Sequence, residues 1–167
     1  MLILGIDPGS AIVGWGLVRY ERGRFIPVDF GAITTPAGMP FGRRLDRIYE
    51  DLGLILSRYS PDAAAVEKLY FQSNKTTAID VAQARGVTLL ALEKRGVPVF
   101  EYTPMQVKSA VTGYGQAQKP QVMEMIKRLL RLKAVPKPDD TANALAIAIC
   151  HAQYGGIQQR LLNRTEG

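Results

Sequence analysis

The chain has a single cysteine and a single histidine, no internal repeat, and no stretch that is both long and apolar. One thiol, Cys150, cannot close an internal disulfide, and its place in the run LAIAIC assigns it to core filling rather than redox chemistry. The longest uncharged stretch, 141–159, still carries Asn143, His151, Gln153 and the pair Gly155-Gly156, so it is too polar to cross a bilayer. The opening MLILGIDPGS has no basic leader and meets a carboxylate at Asp7, unlike a secretory signal, and the expected compartment is the cytoplasm. Ten prolines and sixteen glycines follow no period, which argues against fibrous or low-complexity architecture.

What is present is an ordinary globular composition: 167 residues, 47% of them hydrophobic, enough for one domain with one sizeable core. The net charge of +6 is unevenly placed. Residues 119–137 hold Lys119, Lys127, Arg128, Arg131, Lys133 and Lys137 against Glu124 alone, so this segment carries +5 of the total. Such a concentration suits a polyanion, nucleic acid first, although a solvated helix face has the same appearance.

Apolar runs at 2–6, 12–20 and 24–35, the first ended by Pro8-Gly9 and the others separated by Glu21-Arg22-Gly23, predict three meandering strands. Leu45, Ile48, Leu52, Ile55 and Leu56 recur at helical spacing over 40–59. A strand at 62–66, a helix at 76–94 ended by Gly96, and a strand at 97–102 follow. Thr103-Pro104 opens a short helix to about residue 111. Val122, Met125, Ile126, Leu129 and Leu132 mark the apolar stripe of the next helix, with Glu124, Lys127, Arg128 and Arg131 opposite. Asp139-Asp140 open a last, largely apolar helix to about residue 153, after which the chain is expected to fray. The order βββαβαβ followed by helices defines an α/β domain with one mixed sheet flanked by helices.

Three acids stand where a carboxylate is costly: Asp7 at the end of the most apolar strand, Glu67 after the strand DAAAV, and Asp140 in the first turn of the most apolar helix. Each has a plain structural reading, as a turn residue, an exposed strand end and a helix N-cap respectively. Together they are the oxygen ligands that a hard divalent cation prefers.

The stretches GIDPGS (5–10), AVEKLYF (65–71), QARGV (83–87), FEYTPMQVKSAVTGYG (100–115) and PDDTANALAIAICHA (138–152) resemble the RuvC family of Holliday junction resolvases, within the ribonuclease H-like superfamily. The likeness spans about residues 1–155, read as the nuclease domain, with 156–167 expected as a flexible tail. It implies a ribonuclease H-like fold with a five-stranded mixed sheet, and Asp7, Glu67 and Asp140 as metal-binding catalytic carboxylates. The family usually has a fourth acid three residues after Asp140. Here that position is Asn143, which shares the helix face and can ligate through its amide oxygen, but brings no charge.

The activity so implied is resolution of four-way DNA junctions by paired symmetric nicks, through two-metal phosphodiester hydrolysis that leaves 5′-phosphate and 3′-hydroxyl ends. The implied cofactor is Mg²⁺, two ions per site, with Mn²⁺ as a substitute. Lys108 and Lys119 match family lysines and are expected at phosphates near the scissile bond, within the catalytic machinery. Tyr70 or Phe71 is expected to stack on unpaired bases, and Lys127, Arg128 and Arg131 to bind phosphates without regard to sequence. His151, eleven residues past Asp140 in a buried helix, is read as structural. Expected partners are the four-way junction, a second copy of the chain in a C2 homodimer joined through the helix at 76–94, and the branch-migration proteins RuvA and RuvB. The alternatives are a junction-binding form impaired by Asn143, and a related nuclease acting on RNA.

Overall fold

A computed structural model of the chain describes residues 1–69 and 75–165. Five strands, β1 (Leu2–Asp7), β2 (Ile12–Glu21), β3 (Arg24–Thr34), β4 (Ala63–Glu67) and β5 (Val99–Tyr102), form one sheet in the order β3-β2-β1-β4-β5. β2 is antiparallel to both β1 and β3, while β1, β4 and β5 run parallel. The helices are α1 (Phe41–Tyr59), α2 (Lys75–Lys94), α3 (Pro104–Thr112), α4 (Lys119–Leu129) and α5 (Asp139–Thr165). The expected mixed five-stranded sheet with flanking helices is what forms. Pro27, which lacks a ladder donor, is accommodated because β3 is an edge strand whose register shifts near it.

Side-chain alternation along β1 divides the core. Leu4 and Ile6 point to the face covered by α1 and α2, where they pack with Val66, Leu52 and Leu92. Ile3 points to the other face, into a cluster with Ala65, Leu145 and Ile149 beneath α3, α4 and α5. Asp7 follows the same alternation as Ile3, and Glu67 the same as Ala65. Both acids therefore turn toward α5.

Glycines let α5 lie directly on the sheet. A Cβ at Gly5 would stand 1.9 Å from the Ala144 carbonyl oxygen, and one at Gly14 would stand 2.0 Å from that of Asp140. Gly14 is the cross-strand partner of Asp7, so the first turn of α5 rests over the acid-bearing end of β1.

Two element ends differ from expectation. α5 continues to Thr165 rather than stopping near residue 153, because the helix formers after Gly155-Gly156 outweigh the two glycines. α4 ends at Leu129, so Arg131 lies beyond the helix on which the sequence placed it. There Arg131 takes a left-handed conformation (φ 53°) while the Leu132 N–H donates to the Lys127 carbonyl (2.9 Å), closing the last turn of the helix.

Candidate nuclease site

The parallel register sets Ile6 beside Val66, which brings Asp7 and Glu67 together at the adjoining ends of β1 and β4. The first turn of α5 lies above them. Asn143 donates its Nδ2–H to Asp7 Oδ2 (3.1 Å), and Asp140 lies close enough to act on the Asp7 carboxyl. Burial pushes the Asp7 carboxyl up to about 7; the Asn143 amide opposes that rise, and the charges of Asp140 and Glu67 add to it. Glu67 is also raised, chiefly by burial, and the Lys108 ammonium draws it back.

Lys108 belongs to α3, whose start is fixed by a reciprocal cap. The Thr103 hydroxyl accepts from the Gln106 N–H (3.1 Å), and the Gln106 side chain accepts from the Thr103 N–H (2.8 Å). Lys119 opens α4 and reaches Asp139 Oδ2 at 2.7 Å, with Lys137 on the other oxygen of Asp139 at 3.4 Å. Adjacent acids on α5 thus divide: Asp139 holds lysines and Asp140 faces Asp7. A cleft of about 540 Å³ is lined by Glu67, Lys108, Lys119 and Asn143. A second, of about 310 Å³, is lined by Asp7, Glu67, Lys68 and Arg85. Glu67 and Pro104 border both.

Among the described residues, no three side chains of the His, Cys, Asp and Glu types form a ready metal cage. The donor set nonetheless fits a hard divalent cation. It consists of carboxylate and amide oxygens, and the pKa of its central carboxyl is raised to about 7 by burial and by neighbouring negative charge, which a cation would relieve.

The remaining expected site residues are more dispersed. Lys127 and Arg128 lie in the last turn of α4, Arg128 paired with Glu124 (3.1 Å), and Arg131 is exposed just beyond them. Tyr70 and Phe71 lie outside the described residues. His151 is buried, with Nδ1 2.6 Å from the Tyr102 hydroxyl and its ring against Phe100; burial lowers it to about 4, which suits a neutral core group. Cys150 is fully buried and burial pushes its thiol up to about 12, in keeping with a filling role. Sequence reasoning missed three residues around the site. Asp139 was visible only as a possible cap, Arg85 sits in QARGV, a motif given no role, and Lys68 had no signal beyond following Glu67.

Taken together, the strand order, the acids on adjoining strand ends and the helix laid across them define a nuclease-type domain of the ribonuclease H-like fold. The profile of the family described as "Crossover junction endodeoxyribonuclease RuvC" matches residues 3–151. Proteins of that description from Clostridioides difficile (53% identical over 163 residues; 98% of this chain, 96% of the relative) and Brevibacillus brevis (60% over 154 residues; 92% and 93%) are similar to the chain. Among solved structures, T. thermophilus RuvC in complex with a Holliday junction substrate superimposes with a TM-score of 0.90 at 37% identity, over 95% of this chain and 96% of that one. A yeast mitochondrial Holliday junction resolvase shares the fold at a TM-score of 0.68 and 15% identity, over 98% of this chain and 84% of that one. The chain belongs to the RuvC family.

Proposed function

We propose that this chain is a crossover junction endodeoxyribonuclease that resolves four-way DNA junctions by paired symmetric nicks, acting in the cytoplasm as a C2 homodimer. The observation that carries the reading is the gathering of Asp7, Glu67, Asp140 and Asn143 at the border of a cleft that also holds Lys108 and Lys119.

Those four residues would hold the divalent cations, Mg²⁺ or Mn²⁺, two per site. The chemistry supplied by the bound ions is activation of the attacking water and stabilisation of the departing 3′ oxygen, leaving a 5′-phosphate. The chain's own residues do the rest. Burial of Asp7 and Glu67 keeps bulk water from competing for the donor oxygens. Asn143 orients the Asp7 carboxylate through its N–H. Lys108, close enough to shift Glu67, places a fixed positive charge where the scissile phosphate gains negative charge. Lys119, steadied by Asp139, holds the phosphate backbone at the mouth of the cleft. Lys127, Arg128 and Arg131 extend that contact without reading sequence. Tyr70 or Phe71 stacks on bases unpaired at the crossover.

Two opposed strands need two sites, and α2 offers a surface for a second copy. Ile79 and Leu90 are exposed on it at 63% and 50%, on the side that also bears Gly86. Partnership with RuvA and RuvB rests on family resemblance alone.

The test is a synthetic four-way junction with Mg²⁺ or Mn²⁺. Paired nicks at the crossover, with linear duplex and RNA left intact, are expected. Lys108→Ala slows cleavage by about 10²-fold or more with little change in binding. Arg131→Ala instead weakens binding and lowers the salt slope by about 1. Binding without nicks that turns into nicking in Asn143→Asp would instead identify the chain as a junction-binding form impaired by its amide. Cleavage of RNA in preference to the junction would overturn the resolvase reading.

A further inference from the structure

The smaller cleft has no part in the mechanism above, yet it shares Asp7, Glu67 and Pro104 with the acid site or the larger cleft. Its cations are Lys68, exposed at the end of β4, and Arg85, from the α2 motif QARGV. Arg85 is an unusual structural arginine. Its side chain is 16% exposed, its Nη2 donates to Glu101 on β5, and its Nε is buried with no acceptor among the described residues. An arginine that only tied α2 to β5 would have its buried donors satisfied, since an unpaired buried N–H is costly. A guanidinium presents a fork of donors that matches the oxygens of a phosphate, and here Glu101 takes one prong while the side chain lines the cleft.

We propose that Arg85, assisted by Lys68, binds the backbone phosphate adjacent to the scissile one, on the side of Glu67 opposite Lys108 and Lys119. The inference rests on the resolvase reading, because that reading places the scissile phosphate at the acids. A strand laid across Glu67 then has one neighbouring phosphate over each cleft. Lys108 and Lys119 serve one arm of the strand, and the smaller cleft serves the other. The incoming phosphate oxygen accepts from the part of the Arg85 side chain that lines the cleft, and Glu101 anchors the guanidinium through Nη2.

The experiment compares junction binding in Ca²⁺, by gel shift, for an unmodified junction and for two junctions that each carry an uncharged methylphosphonate at one phosphate flanking the scissile one. The wild-type chain loses about tenfold in affinity with one of the two neutral linkages. Arg85→Gln loses about tenfold on the unmodified junction and nothing further with that linkage, while Arg85→Lys loses less than Arg85→Gln. Additive losses in Arg85→Gln, or no loss by the wild-type chain with either linkage, would overturn the assignment. Thermal melting checks that Arg85→Gln is folded; if it is not, Lys68→Gln takes its place in the same comparison, with the same two outcomes. Failure of the wild-type chain to bind the unmodified junction is a separate result, which sinks the resolvase reading and this inference with it.

Discussion

Asp7 is the residue on which the electrostatics of the site turn. Its carboxyl, ordinarily near 3.8, stands at about 7 in the fold. Between those values the folded chain keeps a proton that the unfolded chain has released, so this group makes the metal-free fold less stable as pH rises from about 4 through 7. A cation must expel that proton. Mn²⁺ affinity should therefore fall about tenfold for each pH unit below about 7 and level off above it. Calorimetry at pH 6 in two buffers of different ionisation enthalpy should read release of close to one proton, and an affinity that stays constant from pH 5.5 to 7 would contradict the assignment. Asn143 supports a second expectation of opposite signs. Replacing it with Asp removes the donor to Asp7 and adds a negative charge, which should lower the melting temperature in EDTA by roughly 3–8 °C. In saturating Mn²⁺ the same variant should melt above the parent, because the added carboxylate binds the ion. Melting curves that shift in the same direction under both conditions would show that Asn143 is not near a cation.

Among the elements, α5 decides whether these residues meet. Because the Ala144 carbonyl occupies the place of a Gly5 side chain, Gly5→Ala cannot be absorbed by a rotamer change and should cost about 1–3 kcal/mol by denaturant titration. It should also reduce Mn²⁺ affinity, since α5 carries Asp140 and Asn143 together. A variant that keeps full stability and affinity would mean that the helix seats itself elsewhere. Much of this was legible beforehand. The strands announced themselves through apolar runs ended by turns, and Asp7, Glu67 and Asp140 stood out as charges in apolar surroundings. The close seating of α5 was not legible, because nothing in the sequence around Gly5 and Gly14 says that a helix will cover them. Arg131 was misplaced for a related reason. Helices commonly stop at a left-handed glycine, and here an arginine takes that conformation. The role of Asp139 depended on Lys119 arriving from twenty residues upstream, which no local pattern reveals.

At the scale of the molecule, the sheet separates two half-cores with different duties. The α3, α4 and α5 side carries Asp140, Asn143, Lys108 and Lys119, and the α1 and α2 side carries the exposed Leu54, Ile79 and Leu90. If the proposed dimer forms through α2, Leu90→Glu should convert it into an 18.3 kDa monomer by light scattering, and paired nicks into slow single ones, while leaving the melting temperature of the metal-loaded site nearly unchanged. A variant that stays dimeric would move the interface away from α2. The direct contact of α5 with the sheet has a consequence for how the enzyme fails. Where layers meet through long side chains, warming can soften the joint by degrees. Here main chain rests on main chain at Gly5 and Gly14, beside the acids, so the acids should keep their spacing until the domain gives way as a whole, and gentle heat should leave little folded but idle enzyme behind.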